Sequence, residues 1–223
     1  MEVMHLDGTN REHLANRAAE VLRAGGVVLY PTDTLYGLGA DALSDAAVAK
    51  IYAIKVREEK KPIHAIAADI EMVSRYAQLS DIGAVLAKNF WPGALTLLFK
   101  KKQGVDSGIA KDIETIGFRI PDNEFCIALA REFGGPITAT SANRSGEQPQ
   151  RNIEAILKQL AAGSYSNVLQ KTAIGIDLIV DAGELPARMP STVVDVSADK
   201  PMILREGAIP ASEIEKSAGS WRD

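Results

Sequence analysis

Apolar positions along the chain fall into short clusters whose spacing switches between helical and strand periods. Over 11–24, Leu14, Ala18, Val21 and Leu22 recur at helical steps and Gly25-Gly26 ends the pattern, which predicts an amphipathic helix. Val27 to Tyr30 is a continuous apolar run closed by Pro31, the pattern of a short buried strand. A second helix is predicted over 45–55, capped by Ser44 or Asp45, with Ala47, Ile51 and Ile54 facing inward. Further strands are expected at 63–67, 95–99, 116–120, 137–140, 178–181, 192–196 and 202–204. Further helices are expected at 71–76, 81–90, 124–133 and 153–160. The alternation gives an α/β class, and strands that follow one another without a helix make a mixed sheet the expectation. No shift in composition marks a boundary. The expected organisation is one folded domain over 1–210 and a polar C-terminal tail over 211–223 that frays from Glu213.

Composition narrows the classes. With 46% apolar and 24% charged residues among 223, bulk disorder is excluded. Twenty-nine acidic against 25 basic residues give a net charge of −4, which disfavours a strongly basic nucleic-acid binder but not a local basic face. The single cysteine, Cys126, excludes an internal disulfide and any multi-cysteine metal site. It sits in an apolar helix and reads as a packed small hydrophobe. His5, His13 and His64 show no metal-ligand spacing, and no metal-binding residues are predicted. The N-terminus lacks the features of a signal peptide and no apolar run approaches the ~20 residues of a membrane span. A soluble, cytoplasmic protein with no membrane partner is expected.

Several segments carry more polar and small residues than a connection needs. Pro31 to Gly39 (PTDTLYGLG) follows a predicted buried strand, where α/β sheets bind ligands. It reads equally as a strand-to-helix turn with Thr and Asp caps. Lys55-Val56-Arg57, followed by Lys61, offers donors to an anion; cations at a helix C-terminus and a solvated charge run are the structural alternative. Arg119 interrupts an apolar strand, so it faces solvent, a site or a buried ion-pair partner. Thr138 to Gly146 supplies hydroxyls and an amide, Ser191 opens a strand, and Arg205 closes one. No histidine is placed to activate a serine or cysteine, so a hydrolase triad is disfavoured. The cationic, hydroxyl-rich remainder suits a phosphorylated ligand and catalysis by positioning and charge neutralisation.

Taken in order, PTDTLYGLG from Pro31, Lys55-x-Arg57, WPGALT from Trp91, FRIP from Phe118, TSANRSG from Thr140, STVVD from Ser191 and LREG from Leu204 resemble the YrdC/Sua5 family, over roughly 11–209. These are the L-threonylcarbamoyladenylate synthases of tRNA N6-threonylcarbamoyladenosine (t6A37) formation. The resemblance implies a YrdC-like twisted mixed sheet with flanking helices around a concave, positively charged basin, with 1–210 as the catalytic domain. It implies a nucleotidyltransferase that uses L-threonine, bicarbonate and ATP and releases pyrophosphate, with Mg2+ accompanying the triphosphate. Lys55 and Arg57 would hold the triphosphate as catalytic groups. Arg57, Lys61, Thr115, Ser141, Asn143 and Arg205 would bind ATP, and Thr34, Arg119 and Ser191 would bind threonine. The product would pass to a tRNA threonylcarbamoyl-transfer machinery, with weak tRNA or RNA binding as an accessory property.

The chain departs from the family pattern after Arg57. Glu58 stands where many members have proline, Pro62-Ile63 stands for a later Pro-Leu step, and a family histidine position falls near Ile66 while His64 lies two residues earlier. The chain resembles the short, single-domain members, and 141–151 is its candidate for a mobile loop. Two other functions stay open at this level: a same-fold paralogue acting on another nucleotide or carbamoyl compound, and a non-catalytic tRNA- or dsRNA-binding module.

Overall fold

The fold was described from a computed structural model, which defines residues 1–56, 62–162 and 175–219. In chain order its elements are β1 (Glu2–His5), α1 (Arg11–Arg23), β2 (Val28–Pro31), β3 (Tyr36–Gly39), α2 (Asp45–Lys55), β4 (His64–Ile66), α3 (Ile70–Tyr76), β5 (Ala77–Gln78), α4 (Asp81–Phe90) and β6 (Leu95–Lys101). There follow a short 3-10 turn (Gly108–Ala110), β7 (Thr115–Arg119), α5 (Glu124–Phe133), β8 (Ile137–Ser141), α6 (Ile153–Ala161), β9 (Leu178–Asp181), β10 (Thr192–Asp195), β11 (Met202–Arg205) and α7 (Ala211–Gly219).

Helix starts follow the side-chain chemistry. Ser44, Asp69, Ser80, Asn123 and Asn152 each accept a backbone N–H of the first turn, as a capping residue should. Among the described residues, strands form one sheet in the order β1-β9-β2-β3-β8-β4-β7-β6-β10-β11, with β5 pairing against β6. The β1–β9, β2–β9, β4–β7 and β6–β10 pairs are parallel and the others antiparallel. The sheet is therefore mixed, as the run of strands without intervening helices requires. β2, β3 and the first five residues of β6 are buried throughout, and α1 packs against α5 to cover one face. Cys126 is fully buried and its thiol donates to the Pro31 carbonyl at 3.2 Å, so it is a packed core side chain.

Three sequence expectations change. The Pro31–Gly39 segment is a β-hairpin, with β3 buried beside β2, and not a strand-to-helix turn. Gly39 serves packing there, since a Cβ would stand 2.8 Å from the Tyr30 ring. Residues 211–219, read as part of a fraying tail, form helix α7; Ile214 is buried and Ser217 accepts a 2.6 Å hydrogen bond from Asn89 of α4. β1 was not foreseen because its side chains are mostly exposed. Its order comes from backbone pairing to β9, helped by Met4 against the core and by an ion pair between Glu2 and Arg17.

Candidate active site

A cavity of about 260 Å³ opens where β2–β3, β4, β6, β7, β8 and β11 converge, with Ser191 just before β10. Its two walls are built differently. On the first, β8 runs antiparallel to β3, with Gly37 opposite Ser141, and then turns sharply. Ala142 N–H bonds the Tyr36 carbonyl at 2.8 Å, and Asn143 N–H bonds the Ser141 carbonyl at 2.9 Å. Ser141 Oγ donates to Asn143 Oδ1 at 2.5 Å, while Asn143 Nδ2 donates to the carbonyls of Arg144 (2.9 Å) and Glu147 (2.5 Å). Lys55 stands behind this turn, only 1% exposed. Its ammonium donates to the Ser141 carbonyl, to the Asn143 carbonyl at 2.8 Å and to Asn143 Oδ1 at 3.2 Å. Its own carbonyl accepts from Ser145 N–H at 3.0 Å. The early part of the loop read as mobile is thus pinned.

Immediately after Lys55 the chain reverses through Val56, at φ 48° and ψ 50°. A β-branched residue in the left-handed region is strained by about 1–3 kcal/mol. Arg57 and Lys61 lie outside the described residues.

The second wall centres on Arg119 at the end of β7. Nε donates to the Gly93 carbonyl (2.9 Å), Nη1 to Thr34 Oγ1 (2.9 Å) and Nη2 to Asp33 Oδ1 (2.6 Å), so the buried ion-pair partner is Asp33. Thr32 Oγ1 accepts from the backbone N–H groups of Thr34 and Leu35 and so fixes this hairpin turn. Ser191 Oγ lies 2.9 Å from Thr96 Oγ1. Arg205, from β11, reaches across to the Ser191 carbonyl at 2.8 Å and to its Oγ at 3.3 Å. Gly207 permits this approach, because a Cβ there would stand 2.3 Å from the Pro190 carbonyl oxygen. Burial lowers the Arg205 pKa from its ordinary value, with the nearby Arg119 charge adding to the effect.

The structure therefore brings Thr34, Arg119, Ser191 and Arg205 together on one wall, and Ser141 and Asn143 on the other, all lining the cavity. Lys55 supports the cavity from behind. Thr115 lies outside the lining but shares the face of β7 with Arg119, four residues on. His64 and Ile66 both line the cavity, because β4 turns alternate residues to one face. The two-residue shift of the histidine thus keeps it on the same wall. Asp33, Thr96 and Thr140 were not singled out from sequence as site residues. Each lies in a motif, Asp33 in PTDTLYGLG, Thr96 at the end of WPGALT and Thr140 at the start of TSANRSG, and motif membership was the available signal.

Comparison with known proteins places this architecture. A family model covering Sua5, YciO and YrdC, described as Telomere recombination, matches residues 20–207. A Methanocaldococcus jannaschii protein provisionally named threonylcarbamoyl-AMP synthase is 33% identical over 97% of this chain and 96% of its own length. The Bacillus subtilis threonylcarbamoyl-AMP synthase is 36% identical over 95% of this chain, which spans 58% of it. The crystal structure of Pyrococcus abyssi Sua5 complexed with L-threonine superposes with a TM-score of 0.85 at 33% identity, over 98% of this chain and 61% of that one. On the extent of these matches and the shared sheet, the chain belongs to the Sua5/YciO/YrdC family.

Proposed function

We infer that this chain is a nucleotidyltransferase that makes L-threonylcarbamoyl-AMP from L-threonine, bicarbonate and ATP, with release of pyrophosphate. The observation that carries the reading is the cavity itself. One wall presents two arginines and two hydroxyls to a small anion-bearing ligand, and the other presents a rigid Ser–Asn turn backed by a buried lysine. The relatives' names and the threonine complex of the P. abyssi protein support the same ligand class.

The chemistry asks little of acid–base groups. The threonine amine and bicarbonate give an N-carboxy-threonine and water. A carboxylate oxygen of that carbamate attacks the α-phosphorus of ATP, a P–O bond forms, and the bond to pyrophosphate breaks. Such a transfer depends on in-line placement and charge neutralisation. In this reading Arg119, Thr34 and Ser191 receive threonine, with the guanidinium orienting its carboxylate. Ser141, Asn143 and Thr115 contact the nucleotide, Arg57 serves the triphosphate with Lys61 nearby, Lys55 acts from behind by holding the Ser141–Asn143 turn rather than on the triphosphate itself, and Arg205 stands between the two ligands. Mg2+ enters with the triphosphate as part of the substrate. The reading calls for positive charge where the ligands meet, and Arg119 and Arg205 are the lining cations that would supply it in an otherwise acidic chain. The product serves t6A formation by a tRNA threonylcarbamoyl-transfer machinery. Residues 1–210 carry the activity, in the cytoplasm; among the described residues no helix is long and apolar enough to cross a membrane.

The test is pyrophosphate release from ATP with Mg2+ by the purified chain. Release that requires both threonine and bicarbonate, with threonylcarbamoyl-AMP as co-product, is expected. Release independent of threonine, or none, contradicts the reading.

A further inference from the structure

We propose that Asp33 is a positioning residue for this reaction, fixing the Arg119 guanidinium so that its remaining donors receive the carboxylate of threonine; the inference rests on the synthase reading above. A guanidinium carries five N–H donors in a rigid plane. Gly93, Thr34 and Asp33 take three of them from three sides, and the Asp33 contact, at 2.6 Å, is the shortest and the one with a charged acceptor. The other two have no protein partner among the described residues, and Arg119 lines the cavity.

Asp33 does not line the cavity, although its neighbours Thr32 and Thr34 do. Its side chain is 7% exposed and that of Arg119 is 9% exposed, so the pair is withdrawn from solvent. Asp33 is itself held in place. Its carbonyl accepts from Arg188 Nη1 at 2.7 Å, and the turn around it is closed by Thr32 Oγ1. The arrangement divides labour between the two arginines of this wall. Arg119, with its charge largely matched by Asp33, gives direction. Arg205 has no carboxylate partner among the described residues and supplies the net positive charge.

The test compares Asp33→Ala and Asp33→Asn in the full chain, by steady-state kinetics and by calorimetric titration of threonine. Loss of the anchor frees the Arg119 plane, and a misplacement of about 1 Å costs up to about 10²-fold. Asp33→Ala is expected to raise the threonine KM and Kd by about 10–100-fold while the ATP KM changes less than about threefold. Asp33→Asn keeps an acceptor oxygen for Nη2 and is expected to restore threonine binding to within about threefold of the parent chain. Unchanged threonine affinity in Asp33→Ala overturns the proposal. So does a parallel rise in both KM values, or failure of Asn to rescue a folded variant. Absence of threonine binding by the parent chain overturns the synthase reading itself and the inference with it, a result distinct from binding that survives loss of Asp33.

Discussion

The two walls of the cavity use buried charge in opposite ways. On the Ser141–Asn143 wall the charge lies behind the lining: Lys55 grips a turn whose neutral residues Ser141 and Asn143 line the cavity. On the Arg119 wall the charge lies in the lining and its counter-charge lies behind, as Asp33. One cation organises its neighbours; the other is organised by them. A neutral wall can approach a sugar–phosphate without committing a full charge at one point, whereas a fixed guanidinium demands a planar anion in one orientation. The difference suits the proposed pairing of a nucleotide with a carboxylate ligand within one small cavity.

This contrast fixes what substitutions should do. The largest effect is expected from Lys55→Met, which keeps the length of the side chain and removes the ammonium that holds the turn. It should lower kcat/KM by about 10²–10³-fold, the scale of losing a preorganised electrostatic contact. Near-normal turnover would mean that the turn holds itself. Next, Arg119→Lys keeps the charge and loses the fork, and should raise the threonine KM by about 10–100-fold with a much smaller change for ATP. Equal effects on both substrates would erase the distinction between the walls.

A smaller effect concerns the floor of the Arg119 wall. Burial pushes the Cys126 thiol well above its ordinary 9.0, with the Asp33 carboxylate adding to the shift and Arg119 opposing it. The folded chain then keeps a proton that the unfolded chain releases. The associated stability is complete below the ordinary thiol range and is lost as pH rises past about 9. Burial likewise raises Tyr36, to about 12, and Tyr30, so all three act in the same alkaline direction. Denaturant titrations between pH 7 and 10 should show a shallower alkaline loss in Cys126→Ala, by about 1–2 kcal/mol at pH 10. Parallel curves would place the thiol in a wetter setting. The smallest effect is expected on the Lys55 side: Val56→Gly relieves the left-handed strain and should stabilise the chain by about 1 kcal/mol. Destabilisation would show that Val56 earns its position by packing.

Most helices were legible in the sequence from their apolar stripes: 45–55, 81–90 and 124–133 have the expected boundaries, the cap read at Ser44 holds, and the structure adds Ser80 and Asn123 as caps. The missed elements lack so plain a pattern. β1 exposes its side chains, β3 alternates glycine with Tyr36 and Leu38, and α7 shows only Ile214 as a buried anchor. The site was legible as motifs and not as geometry. Arg119 announced itself as a charge in an apolar strand, but a sequence does not say whether such a charge meets a ligand or an internal partner. Here the guanidinium is anchored on Asp33 and also lines the cavity. Lys55 was read at a helix end, where cations are ordinarily exposed, and it is buried because the loop after β8 folds over it.

In the proposed arrangement threonine occupies the Arg119 wall and the nucleotide the Ser141–Asn143 wall of one cavity. A crystal structure of the chain with threonine and a non-hydrolysable ATP analogue tests it most directly. The threonine carboxylate is expected within hydrogen-bonding distance of Arg119 and Ser191, with the nucleotide against Ser141 and Asn143. Threonine bound away from Arg119, or the triphosphate seated on the Asp33–Arg119 pair, would contradict it.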